Sequence, residues 1–368
     1  MAVETIAARM KALRVERGIR QADMADLLGF NDRQTISAIE TGERRVSADE
    51  LMRVVNGLNV PLDYFTDPFR LTGEGRFSWR QDDGDDAALA ACEQDAGRWI
   101  AAFHTLAPQV GHDLPLMRRA LNLNRHSRFE HAMAAGERFA VEYELGDVPA
   151  QRLAEAMERR LGVLVLMVDL PGEISGAACR LPDLDTVLIN RSEVAGRRHF
   201  DLAHELFHIL TWNEMPPRYI ERPGEAGDNR VEKLADNFAG AVLMPRHAVE
   251  RFGDWAQMGD DELVPRLNAA ADALLVTASA LRWRLAALGL LTQGRARAVP
   301  EAALRNNGRA APVIDAPPAF SPSFVQVIGA AIDAGRISTR RAARLVGLAI
   351  DDLDALFGAH GLASPVDL

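Results

Sequence analysis

The stretch Phe200-Asp-Leu-Ala-His204-Glu205-Leu-Phe-His208-Ile-Leu210 holds His-Glu-x-x-His inside an apolar run. Histidines four residues apart share one face of a helix, so both imidazoles can reach a single Zn²⁺. Glu205 lies one residue along, where its carboxylate can take a proton from water at the open position of such a metal. The chain has 9 histidines in 368 residues, which makes this spacing improbable as an accident. A buried helix carrying three ionisable groups without partners would also pay a stability cost.

Zinc in a catalytic site takes three protein ligands and keeps one position free. Downstream runs Glu232-Lys-Leu-Ala-Asp236-Asn-Phe-Ala-Gly-Ala-Val-Leu-Met-Pro245. Leu234, Ala235, Phe238, Ala239, Val242 and Leu243 recur at helical spacing, and Pro245 stops the helix. Glu232 stands at the start of this helix, where its carboxylate could meet His204 and His208 as a candidate third ligand. Asp236, one turn on, can accept the other ring N–H of a ligating histidine and fix its tautomer. Glu214, Glu221, Glu225 and Asp228 are rival ligands in a Pro/Gly-rich stretch that reads as a loop.

The run from Arg198 to Pro245, with Phe200-x-x-Ala203-His204-Glu205 and then Glu232-x-x-Ala235-x-x-Phe238-Ala239 ending in Leu243-Met244-Pro245, resembles the ImmA/IrrE family of zinc metallopeptidases. Members of that family cut a helix-turn-helix repressor in the cytoplasm and release the genes it silences. The resemblance implies His204, His208 and Glu232 as ligands of one Zn²⁺ per chain, with Glu205 as general base. Many relatives carry Asn where this chain has Asp236. The departure gives the Glu-x-x-x-Asp arrangement of thermolysin-like enzymes.

Composition bounds the remainder. A chain of 368 residues exceeds what one core usually serves, so several domains are expected. No apolar run approaches membrane-spanning length and none near Met1 reads as a secretion signal, so a cytoplasmic protein without a membrane anchor is expected. Cys92 and Cys179 are the only cysteines, which fits a reducing compartment. The net charge of −10 argues against a chain that coats nucleic acid, though not against a small reading head.

Residues 1–69 have the pattern of such a head. Ile6, Met10 and Leu13 mark a first amphipathic helix. Gln21 to Gly29 and Arg33 to Gly42 then give two short helices around a tight turn, covered by Leu51, Val54, Val55 and Leu58. With Gln21 at the second helix start and Ile-Ser-x-Ile-Glu-x-Gly closing the third, the segment resembles the XRE family of phage-type repressors. That resemblance implies Arg33, Gln34, Thr35 and Ser37 as base readers in the major groove, and Gln21, Arg44 and Arg45 as phosphate contacts. Against it stands charge, with nine Arg/Lys against eleven Asp/Glu over these residues.

The fold expected is α+β and mostly helical. It comprises an all-α helix-turn-helix domain at 1–69, a helical connector at 70–149 and a zincin-like peptidase core with a small sheet at 150–250. A helical extension at 251–312 follows, then a linker and small helical segment at 313–368. Val163 to Val168 is a continuous apolar run fit for a central strand, followed by strands at 174–180 and 186–190. Tyr219 and His247 are the candidate donors to the developing oxyanion. The expected activity is zinc endoproteolysis of a repressor protein by a regulator that reads a DNA operator, a homodimer being one expected form. The rivals are a non-proteolytic zinc-containing transcription factor or sensor, and an antitoxin-type repressor.

Overall fold

The computed structural model describes residues 3–71, 75–81, 85–112, 116–221, 230–305 and 316–365. Five helices build the N-terminal unit: α1 (Val3–Glu16), α2 (Gln21–Leu28), α3 (Gln34–Glu40), α4 (Ala48–Gly57) and α5 (Asp63–Thr66). Met10, Leu13, Leu28, Ile36, Ile39, Val54 and Phe65 close its own core. Gly29 ends α2 at φ +76°, a conformation that side chains with a Cβ rarely adopt. Buried Arg9 donates to the carbonyls of Tyr64 and Asp67 at 3.2 and 2.8 Å, fastening α1 to the exit of the unit. Arg341, from near the C-terminus, pairs with Asp67 at 2.6 Å.

The rest of the chain is organised by a mixed sheet of five strands. β1 (Arg76–Gln81), β2 (Val163–Val168), β3 (Ile174–Arg180), β4 (Asp185–Asn190) and β5 (Ile220–Glu221) lie in the order β2-β4-β3-β1-β5. β2 runs parallel to β4, β3 antiparallel to β4 and β1, and β5 parallel to β1. Alternation along the strands feeds two cores. Val163, Val165, Ala178, Val187 and Ile189 face one layer of helices, while Leu164, Leu166, Ala177, Cys179 and Leu188 face the other.

Two expectations are corrected here. The run 163–168 is an outermost strand, not a central one. Its continuous apolarity reflects cover on both faces, and the backbone of Phe320 shields its edge by donating to the Met167 carbonyl at 2.6 Å. The stretch read as a helical connector also supplies β1, which pairs with β3 from Arg76↔Arg180 to Arg80↔Gly176.

The first layer holds α7 (Phe129–Glu142), α9 (Ala195–Thr211), α10 (Arg230–Leu243), α12 (Asp260–Leu274) and α13 (Ala278–Ala287), with short α8 (Leu153–Ala156), α11 (Arg246–Glu250) and α14 (Gln293–Ala298) at its margins. The second layer is α6 (Asp86–Leu106) with α15 (Pro322–Asp333), α16 (Thr339–Val346) and α17 (Leu353–Ala359). Residues 306–315, which span the boundary between the expected helical extension and the expected linker, lie outside the described residues. Among the described residues no helix is long and apolar enough to cross a membrane.

Phe238 of α10 meets Phe207 of α9 at 5.6 Å and Phe139 of α7 at 6.0 Å between ring centroids, which ties the three helices together. Gly136 allows α7 to lie against α10: a Cβ there would sit 2.5 Å from the Phe238 carbonyl oxygen and 2.9 Å from Ala241 Cβ. Gly136→Leu must push α10 away, and is expected to destabilise by about 3 kcal/mol or more, at the upper end of overpacking costs. A lowered urea midpoint at unchanged slope would show it.

Candidate metal centre

The site is assembled by two helices and one strand. α9 is apolar along the stripe Ala203, Leu206, Phe207 and Leu210, which buries it against β3 and β4. That docking carries His204, Glu205 and His208 inside, all at 1–2 % exposure. α10 crosses with Leu234, Ala235, Phe238 and Val242 in the core, and so presents the first-turn carboxylate of Glu232 to both histidines.

Glu232 Oε2 lies 3.1 Å from His204 Nε2, Glu232 Oε1 lies 3.4 Å from His208 Nε2, and the two Nε2 atoms are 3.1 Å apart. The candidate ligand atoms all fall within 4.8 Å of one another. Two ligands on a tetrahedral zinc with bonds near 2.0–2.1 Å are about 3.3 Å apart, so the residues present fit that ion. Hydrogen bonding fits them less well. His204 Nε2 has His208, Glu232 and Arg80 all within 3.1 Å, yet one ring nitrogen carries a single proton or a single lone pair. Glu232 Oε1 and His208 Nδ1 are buried without a hydrogen-bond partner.

Asp236 Oδ1 lies 3.0 Å from His204 Nδ1, the contact expected of it one turn after Glu232. Burial and the Arg80 charge oppose protonation of His204, while its contacts with Asp236 and Glu232 raise its pKa; Arg80 can only donate, so its approach to Nε2 is met by the ring with its proton on Nδ1 beside Asp236. Burial drives His208 down to about 4. It pushes Glu205 up to about 7, against the pull of His204 and Arg80. Glu232 resists the same burial through its hydrogen bond and charge interaction with His204, and is held well below the usual carboxylate range.

Sequence reasoning missed Arg80. It enters from β1, with Nη1 at 2.7 Å from His204 Nε2 and Nε at 3.5 Å from Asp201 Oδ1. Burial works against its charge, and Asp201, Asp236, Glu205 and Glu232 more than restore it. The alternation in Arg76-Phe-Ser-Trp-Arg80 was the available signal for a strand. Phe77 and Trp79 stack at 5.6 Å on one side, which turns Arg80 to the other.

The two candidate oxyanion donors are not brought to the site. The Tyr219 hydroxyl donates to Glu93 of α6 at 2.8 Å, as does Trp79 Nε1, on the side of β1 away from Arg80. Burial and Glu93 push its ionisation up to about 12. His247 lies on α11, past the far end of α10 from Glu232, with about 16 Å of helix between. Of the rival ligands, Glu214 is exposed, and Glu225 and Asp228 lie outside the described residues. Glu221 sits on β5 close enough to feel Glu232, and burial with that charge pushes it to about 7.

In the N-terminal unit, Arg33, Gln34 and Ser37 are exposed and Thr35 half-buried at the start of α3, while Ile36 and Ile39 turn inward. Arg45 is exposed. Gln21 and Arg44 already have partners: Gln21 donates to Glu40 at 2.9 Å, and Arg44 makes a two-pronged pair with Glu50 while lying over the Phe30 ring.

Residues 10–65 match the family model described as Helix-turn-helix, and residues 158–285 match a peptidase family whose model is described as IrrE N-terminal-like domain. Neither the curated proteins nor the solved structures give a match. The chain joins an XRE-type helix-turn-helix to an IrrE-like peptidase-family domain.

Proposed function

We propose that this fusion is a cytoplasmic zinc endopeptidase that cuts a helix-turn-helix repressor, while its own N-terminal unit reads an operator in stress or phage-response genes. The convergence of His204, His208 and Glu232, with Glu205 on the same buried helix, carries the reading. A zinc ion held by those three side chains would supply a Lewis acid for the scissile carbonyl and lower the pKa of water. Glu205 takes the proton of the attacking water and passes it to the leaving amine. Asp236 keeps the proton of His204 on Nδ1, leaving Nε2 free to ligate. β5 ends the sheet beside Glu232, and its outer edge, unpaired among the described residues, is where an extended peptide would add.

The test is co-expression with small helix-turn-helix repressors encoded near this gene, following repressor length under DNA-damage or phage stress. A shortened repressor supports the reading, and unchanged length in every pair overturns it.

For the N-terminal unit, Arg33→Ala is expected to relax discrimination at one base position. Arg45→Ala should weaken all sequences and flatten the salt dependence. Footprinting of the chain's own promoter reads both, and a dimer protects two half-sites about 34 Å apart. The internal partners of Gln21 and Arg44 favour a second reading, in which this unit docks a protein; absence of any footprint at low salt would select it.

A further inference from the structure

Arg80 reaches the candidate metal centre from outside the interval that matches the peptidase family. Three local features aim it. Its neighbour Trp79 is locked into the opposite core. Its register partner on β3 is Gly176, which adds no side chain beside it, and the pairing shifts directly after it, between Arg80 and Gln81. The guanidinium is then steadied at Nε by Asp201, 3.5 Å away, leaving Nη1 at the tip against His204 Nε2 and 4.0 Å from Glu232 Oε2.

A donor 2.7 Å from an imidazole nitrogen addresses the lone pair that a metal bond would use. That lone pair serves one partner at a time. We propose that Arg80 sets the metal affinity of this centre by competing with the divalent cation for His204 and Glu232. The proposal rests on the reading of His204, His208 and Glu232 as a zinc site.

The competition has two parts. The guanidinium must leave His204 Nε2 before a metal can bond there. It must then remain close to a doubly charged ion, because the strand backbone and Asp201 tether it, and like charges at such distances repel. The same side chain offsets the mutual repulsion of Asp201, Glu205, Glu232 and Asp236, all of which act on its charge. Arg80 therefore holds the ligand helices together before metal arrives and makes the metal easier to lose.

The experiment uses the full chain, stripped with a chelator and titrated with zinc against a fluorescent chelator of known affinity, for wild type, Arg80→Lys and Arg80→Gln. Arg80→Gln is expected to tighten zinc about tenfold or more, the scale on which one nearby charge shifts a site. Arg80→Lys keeps the charge on a compact ammonium and is expected between the two. In excess chelator Arg80→Gln should melt below wild type, and on adding zinc it should gain more than wild type does. If Arg80→Gln fails to fold once stripped, the direction of the Arg80→Lys shift decides. Equal or weaker zinc binding in the variants overturns the proposal while leaving the zinc site standing. No zinc in wild type or variants overturns both, and zinc taken up by Arg80→Gln alone supports the proposal in its strongest form.

Discussion

Glu205→Gln is expected to lower hydrolysis by a factor of about a hundred or more while zinc stays bound and the fold survives. The amide is nearly the same size as the carboxylate, so at a position 2 % exposed the packing changes little. Glu205 is also absent from the group of side chains that converge as ligands, which is why metal content should not fall. The amide cannot accept the water's proton. A repressor engaged by this variant should therefore remain intact and co-purify with it, where wild type releases fragments. The measurement pairs metal content with repressor length on the same preparations. Cleavage at wild-type rate by a zinc-loaded Glu205→Gln would end its role as the base. Loss of zinc along with activity would mean that Glu205 is needed to hold the centre.

The second large effect concerns metal content. Glu232→Ala removes the carboxylate that closes both His204 and His208 contacts, and is expected to take zinc from about one per chain to nearly none after dialysis. Asp236→Ala removes only the partner of His204 Nδ1, and should weaken zinc about tenfold to a hundredfold while leaving it detectable. Elemental analysis with a chelator titration separates the two. Undiminished zinc in Glu232→Ala would send the third-ligand role to another carboxylate, such as Glu221, which feels the charge of Glu232. A deficit in Asp236→Ala as deep as that in Glu232→Ala would make Asp236 a ligand.

The parts of this site that were legible in the sequence are those that helical repetition brings together. His204 and His208 are one turn apart, as are Glu232 and Asp236, and each pair sits on a helix whose apolar stripe fixes its inward face. The strands at 163–168 and 174–180 were legible because both of their faces are covered. What periodicity cannot supply is the meeting of distant segments. Arg80 stands 124 positions before His204, and nothing local says that its strand pairs with β3 or which side faces α9. Tyr219 and His247 were chosen for nearness along the chain, but β1 puts a sheet between Tyr219 and the histidines, and α10 carries His247 away. Val163 to Val168 misled in another way. An apolar strand announces burial, but a segment more than a hundred residues later provides that burial at its edge.

The two-layer cover of the sheet bears on how this protein can be dissected. The interval 158–285 contains the candidate ligands but not α6, α15, α16 or α17, which shield Leu164, Leu166, Ala177 and Leu188. Cut at those limits, the fragment would present a bare apolar sheet to water and lack the strand that lies between β3 and β5. Such a surface sticks to copies of itself. The interval that matches the family model is thus smaller than the packed unit, and the flanking helices cover the sheet on which the helix of His204 and His208 rests.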